Sequence, residues 1–267
     1  MRYDEAFANG KYIRGGAEYP KRWQLRADAF RRDLGERAVL GVAYGKGARQ
    51  WFDLFVPEVP PLGLLIFVHG GYWLDFGPRD FSHLAAGALA RGWTVAMPGY
   101  SLAPGARISE ITAEVALALG VMAQKVEGPI VVTGHSAGGH LAARMGQVGL
   151  EAPLAKRLQK LVPISPLGDL RPLLETTMNA ELALDLAEAR AESPALHPRA
   201  KGVAAHIWVG GYERPAFLDQ ARRLGNGWAC PVTVEAGRHH FDVIDGLEDG
   251  HSPLMRVLLP EAAGPRI

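Results

Sequence analysis

Ile130-Val131-Val132-Thr133-Gly134-His135-Ser136-Ala137-Gly138-Gly139-His140-Leu141 is the stretch on which the fold turns. Its first four residues are all β-branched, a composition suited to a buried strand, and from Ala137 an Ala-rich helical pattern takes over. Between the two, Gly134 and Gly138 bracket Ser136 in the pattern Gly-x-Ser-x-Gly. A sharp strand-to-helix turn forces its central residue into a strained conformation, and flanking glycines remove the Cβ atoms that would clash there. Such a turn lifts the Ser136 hydroxyl out of the sheet and sets it at a helix N-terminus, where unpaired N–H groups and the helix dipole favour negative charge.

Working outward, further apolar runs occur at Leu64-Leu65-Ile66-Phe67-Val68, Thr94-Val95-Ala96-Met97, Leu161-Val162-Pro163-Ile164 and His206-Ile207-Trp208-Val209. Helical stretches separate them at Phe81 to Arg91, Ile108 to Val126, Ala137 to Gly149 and Ala216 to Leu224. Strands alternating with helices predict a mostly parallel sheet covered on both faces, the α/β class. Ahead of this pattern, Arg37 to Val56 reads as a hairpin whose arms are separated by Tyr44-Gly45-Lys46-Gly47. Residues 1–36 form an N-terminal helical flap, with Arg22, Trp23, Arg26 and Phe30 spaced as an amphipathic surface helix. Leu167 to His197 breaks the alternation with two short helical patterns and reads as a small cap. No Ser/Gly-rich linker divides the chain, so residues 1–267 are expected to form one domain with a flap and a cap.

Composition removes several function classes. Lys plus Arg number 29 against 28 Asp plus Glu, a formal charge of +1, which supplies no basic field of the kind nucleic acids demand. At 48% hydrophobic and 21% charged residues the chain reads as globular, and its longest apolar stretch, around Leu62 to Val68, is far below the roughly 18 residues of a membrane span. No export signal or anchor is visible, and the expected location is the cytoplasm. The single cysteine, Cys230, excludes an internal disulfide and is expected as a small buried hydrophobe. Neither cofactor nor metal is expected; the partner is a small-molecule substrate, with a homodimer left open.

A serine at neutral pH needs a positioned base, and the base needs an orienting carboxylate. After the strand-like Val232 to Glu235 comes Gly237-Arg238-His239-His240-Phe241-Asp242, and His240 is favoured as the base. Glu213 stands just past the strand that ends near Val209, with Asp219 and Asp242 as competitors for the acid. The order serine, acid, histidine along the chain is that of hydrolases with a nucleophile elbow. Directly after Leu64–Val68 lies His69-Gly70-Gly71-Tyr72-Trp73, where two glycines let backbone N–H groups approach a carbonyl oxygen as it becomes an oxyanion. Gly70, Gly71 and Ala137 are the candidates for that hole. His69 reads as a structural brace, and Trp73 as either core packing or pocket wall.

His-Gly-Gly-Tyr-Trp together with Gly-His-Ser-Ala-Gly-Gly resembles the α/β-hydrolase branch that contains kynurenine formamidases (arylformamidases) and related carboxylesterases. The similarity runs nearly end to end, taking in Asp53-Leu-Phe-Val-Pro57, Asp169-Leu-Arg-Pro172, Tyr212-Glu-Arg-Pro215 and His240-Phe-Asp-Val243. The resemblance implies Ser136 as nucleophile, Glu213 as acid, His240 as base and Gly70, Gly71 and Ala137 as the oxyanion loop. Formamidases of this branch usually carry Asp where Glu213 stands. The implied activity is two-step acyl transfer, either on N-formyl-L-kynurenine, its ring held by Tyr72, Trp73 and the cap, or on a small-acyl ester or thioester. A non-catalytic ligand receptor on the same scaffold is the reading that differs in kind.

Overall fold

The run Leu64–Val68 has no polar face because the sheet it enters is covered on both sides. Successive side chains of a strand point to opposite faces. Leu64, Ile66 and Val68 enter one core cluster, whereas Leu65 and Phe67 enter the other. Ile130 and Val132 divide from Val131 in the same way. The computed structural model describes residues 1–259, whose strands are β1 (Ala38–Ala43), β2 (Trp51–Phe55), β3 (Leu64–Val68), β4 (Thr94–Pro98), β5 (Ile130–His135), β6 (Leu158–Ile164), β7 (Ala204–Ala205), β8 (Ile207–Gly210) and β9 (Val232–Glu235). They lie in the spatial order β1-β2-β4-β3-β5-β6-β8-β9, with the two-residue β7 beside β6. The β1–β2 hairpin joins β4 antiparallel, and the remaining pairings are parallel. The fold is therefore the α/β class that the alternation predicts.

Helices Ile108–Ala123, Ala137–Arg144 and Pro215–Trp228 cover the first face, and Tyr19–Leu34, Ala86–Ala90 and Pro253–Leu258 the second. Two boundaries differ from expectation. The helix expected from Phe81 begins as 3-10 turns and becomes α-helical only over Ala86–Ala90. The helix after Ser136 ends at Arg144 rather than Gly149, just before Gly146 comes against the Leu161 side chain. Cys230 is only half-buried, which corrects its expected place in the core. Among the described residues no helix is long and apolar enough to cross a membrane.

The segment 167–197 does not sit as the cap expected of it, and the N-terminal flap covers the edge instead. Leu167, Leu170, Leu173, Leu182 and Ala189 sink into the cluster beneath helix Ile108–Ala123. Polar ties lock them there: Thr112 Oγ1 donates to Glu192 Oε2 at 2.7 Å, and Ser109 Oγ donates to Glu188 Oε1 at 2.8 Å. This segment is a lateral buttress. The N-terminal residues are instead drawn over the carboxyl edge of the sheet. Trp23, 3% exposed, packs its ring at 5.2–5.9 Å from Phe76, Phe81 and Phe241. Phe7 meets Phe217 at 5.9 Å, and the Tyr72 hydroxyl donates to the Phe7 carbonyl at 2.6 Å.

Deleting a fully packed indole removes both burial and contacts, so Trp23→Ala is expected to cost about 3–5 kcal/mol of unfolding free energy. Leu25→Ala on the same helix, where the side chain is 60% exposed, should stay within about 0.5 kcal/mol. Urea unfolding midpoints of the two variants check this; equal losses would show that the helix is not docked through Trp23.

Candidate active site

In a parallel sheet, the loops after the carboxyl ends of the strands share one edge. That edge gathers His69 to Trp73 after β3, Ser136 after β5, Ser165 after β6, Glu213 after β8 and His240 after β9. Ser136 sits at φ 57°, ψ −117° and caps helix Ala137–Arg144. The glycines around it are required sterically: a Cβ on Gly134 would overlap the Gly138 carbonyl, and one on Gly138 would overlap the carbonyl oxygens of Val68 and His69. Seven non-glycine residues have positive φ among the described residues. Ala183 and Ala229 end helices, while Tyr72, Trp73, Phe76, Ser136 and Ser165 border this edge. Strain is thus stored where the loops converge.

His240 and Glu213 form a buried pair. The imidazole Nδ1 lies 2.6 Å from Glu213 Oε2, with the two side chains 4% and 0% exposed. Because a carboxylate only accepts, Nδ1 carries the proton and Nε2 is left for another partner. The second carboxylate oxygen accepts from the Gly210 N–H at 2.9 Å and from the Ser165 hydroxyl. Phe217 packs on the imidazole at 4.3 Å between ring centres, and His135 at 4.6 Å. The competitors are engaged elsewhere. Asp219 is exposed and pairs with Arg223 at 2.6 Å, and Asp242 accepts the His239 N–H at 2.7 Å within its own turn. His239 points to the Tyr19 hydroxyl, 3.2 Å from its Nε2.

Ser136, His240, Gly70, Gly71 and Tyr72 all line one cavity of about 230 Å³. The amide N–H groups of Gly70, Gly71 and Ala137 donate to no acceptor among the described residues, the state expected of donors held for an incoming anion. Gly71, at φ 107°, supports the turn by accepting from Leu74 and Asp75, and a Cβ there would come within 2.5 Å of the Asp75 carbonyl oxygen. Tyr72 reaches the cavity. Trp73 does not, which corrects its expected place in the pocket wall: its indole is fully buried in the core, edge-on to His140 at 5.1 Å. None of residues 167–197 lines the cavity either, so the expected cap contributes no wall. Other walls come from residues given no site role in the sequence reading: Phe7 to Gly10, Trp23, Phe76, Phe81 and Phe241. Their only sequence signal is aromatic content at the start of the chain and beside His240.

His69 braces the double-glycine loop. Its Nδ1 donates to the Gly70 carbonyl at 2.8 Å, and its ring stacks on Tyr100 at 4.2 Å. Burial lowers its pKa to about 3. Burial likewise lowers His83 to about 3 and His140 to about 4, and it pushes His135 well below the ordinary imidazole range. Burial, then the Glu213 charge, raises the Tyr72 phenol, which stays protonated as the donor to Phe7.

A strained serine between glycines, a histidine–carboxylate pair and unpaired amides thus lie together at the carboxyl edge of an α/β sheet. The chain belongs to the α/β hydrolase fold family, whose pattern matches residues 65–235. Within it, the chain is similar to kynurenine formamidases and to esterases. It is 27% identical to the kynurenine formamidase of Salmo salar over 239 residues, 84% of this chain and 81% of that one. It is 26% identical to that of Drosophila melanogaster over 236 residues, 80% and 78% of the two chains. Among solved structures, one described as a candidate thioesterase from Silicibacter sp. is 50% identical, with a TM-score of 0.95 over 97% of this chain and 99% of that one. An esterase of Pyrobaculum calidifontis shares the fold at 18% identity, with a TM-score of 0.70 over 94% and 92%.

The four buried neutral histidines predict how stability depends on pH. Their folded pKa values lie below the unfolded value of about 6.5, so their contribution is present above that pH and is lost as pH falls toward 3–4. Asp245 and Glu248, raised by burial, act in the opposite direction. Between pH 7.5 and 5.0 each imidazole should remove on the order of 1–2 kcal/mol of unfolding free energy. His83→Leu, at a site where neither ring nitrogen has a partner, should flatten the urea-midpoint profile by one histidine's share. A wild-type profile already flat across that range would refute the assignment.

Proposed function

We propose that the protein is a serine hydrolase of small acyl groups, and an arylformamidase in particular, with N-formylkynurenine-like aryl formamides as substrates. The observation that carries this reading is the 2.6 Å bond between His240 Nδ1 and Glu213, buried behind a cavity that Ser136 also lines. Ser136 Oγ attacks the formyl carbon as its proton passes to His240 Nε2, and Glu213 stabilises the imidazolium. The carbonyl oxygen becomes an anion beside the amides of Gly70, Gly71 and Ala137. Collapse of the tetrahedral species breaks the C–N bond, the amine leaves with the proton from His240, and the formyl group stays as an ester of Ser136. Water, deprotonated by His240, attacks that ester, and formate leaves as Ser136 regains its proton.

Cavity size favours a small acyl group, since about 230 Å³ lies below the usual 300–1,000 Å³ of ligand pockets. The curated relatives named kynurenine formamidase support the formamide. A second reading, a short-chain carboxylesterase or thioesterase, is favoured by the 50% identity to the Silicibacter protein.

Ser136→Ala should lower kcat/KM for the preferred substrate by at least 10⁴. Glu213→Gln, which keeps the shape but loses the charge, should lower kcat by about 10³–10⁴. Steady-state kinetics with N-formylkynurenine, p-nitrophenyl acetate and acetyl-coenzyme A rank the substrates. N-formylkynurenine should lead in kcat/KM by tenfold or more; a leading thioester or ester would transfer the assignment to the second reading. Full activity in Ser136→Ala would end both.

A further inference from the structure

Asn9 lies at the head of the short 3-10 turn Gly10–Tyr12, a position where asparagine ordinarily caps with its side chain. Here it does not cap. Its carbonyl accepts from the Tyr12 N–H at 3.0 Å, but the side chain makes no capping bond. The residue is 6% exposed, and both Oδ1 and Nδ2 are buried without a hydrogen-bond partner. It lines the cavity that also holds Ser136 and His240. An unpaired buried carboxamide destabilises a fold, so one on a cavity wall is accounted for when a ligand completes it.

The segment that carries Asn9 is fixed at several points. Tyr72 Oη donates to the Phe7 carbonyl at 2.6 Å, Arg214 donates to the Glu5 carbonyl at 3.1 Å, and Gly10 lies against the Phe241 ring. Phe7 packs on Phe217, which packs on the His240 imidazole. The carboxamide is thus held in register with the base. Its surroundings restrict what it binds: no Lys or Arg lines the cavity, and the one carboxylate that does, Asp75, is exposed at the rim. An anionic group therefore finds no counter-charge inside. Oδ1 needs a hydrogen donor, and Nδ2 needs an acceptor.

We infer that Asn9 is a specificity-determining residue that accepts a hydrogen bond from the N–H of an amide-type substrate, selecting amides over oxygen esters of the same shape. The inference rests on the serine-hydrolase reading of this cavity. An ester places an oxygen where an amide carries N–H, which leaves Oδ1 unsatisfied, and sites built for a donor discriminate strongly against analogues that lack it.

The test uses Ser136→Ala protein and the matched pair acetanilide and phenyl acetate, with dissociation constants from calorimetric titration. Acetanilide should bind at least tenfold more tightly. Adding Asn9→Leu should bring the two within threefold, whereas Asn9→Asp, which keeps an acceptor, should preserve the preference. Asn9→Ala serves as the second donor-blind variant should the leucine form fail to fold, as judged by thermal melting. Equal affinities in the Ser136→Ala protein, no binding of acetanilide, or a preference that survives Asn9→Leu overturns the inference. Turnover retained by Ser136→Ala would instead overturn the catalytic reading, and the binding ratio would still decide the role of Asn9.

Discussion

Backbone packed on bare backbone holds the site together. At the end of β5 the chain reverses within one residue, and the reversal is possible only because Gly134 and Gly138 lie face to face while Gly138 lies on the carbonyls of Val68 and His69. Gly139 completes the contact, with its would-be Cβ 2.8 Å from the Ile164 carbonyl oxygen of β6. The elbow is therefore wedged between the ends of both neighbouring strands. The strained Ser136, the double-glycine loop after β3 and Ser165 after β6 are thus held together by close backbone contacts. Methyl groups at these glycines would move three loops at once.

The glutamate in the acid position follows from the same geometry. Glu213 folds back on its own loop, one carboxylate oxygen taking the Gly210 N–H and the Ser165 hydroxyl while the other meets His240. Three partners on three strand ends thus converge on one carboxylate with a fully buried side chain. The longer side chain is used to turn back toward the sheet, and Ser165, itself at φ 47°, supplies the donor that completes it. Exchanging Glu for Asp at this position is thus a question of which strand end provides the bonds, and it leaves the imidazole oriented by a carboxylate in either case.

Much of this was legible in the sequence, for physical reasons. Buried parallel strands are apolar on both faces, so Leu64–Val68 and the run ending at Gly134 announce themselves. Residues that carry chemistry are constrained in type, so Ser136, His240 and the double glycine can be read from their places after strands. What escaped is what has no type constraint. A cavity wall needs only shape and polarity, and Phe7, Phe241 and Asn9 are ordinary residues until the fold places them. Trp73 was ambiguous because an aromatic after a glycine pair packs equally well inward or outward. Both residues have positive φ, 52° at Tyr72 and 59° at Trp73, and in the fold the indole lies in the core while Tyr72 lines the cavity. The helices at 167–197 could be counted from the sequence but not placed, since their leucines would suit a lid as well as a buttress.

The N-terminal segment has a consequence for how the site works. Because Phe7 touches Phe217 and Phe217 touches the His240 imidazole, the cavity wall and the ring proposed to move a proton are packed together. In the second core cluster Trp23 packs on Phe76, Phe81 and Phe241, and Phe241 adjoins the His240 ring at 6.0 Å. Such a cluster resists partial displacement, since interiors are close-packed and a shifted ring forfeits contacts on every side. The first residues of the chain therefore pack against the rings that border the His240 imidazole and the turn after the double glycine. Enclosure of the cavity and placement of the His240 ring thus rest on one set of aromatic contacts.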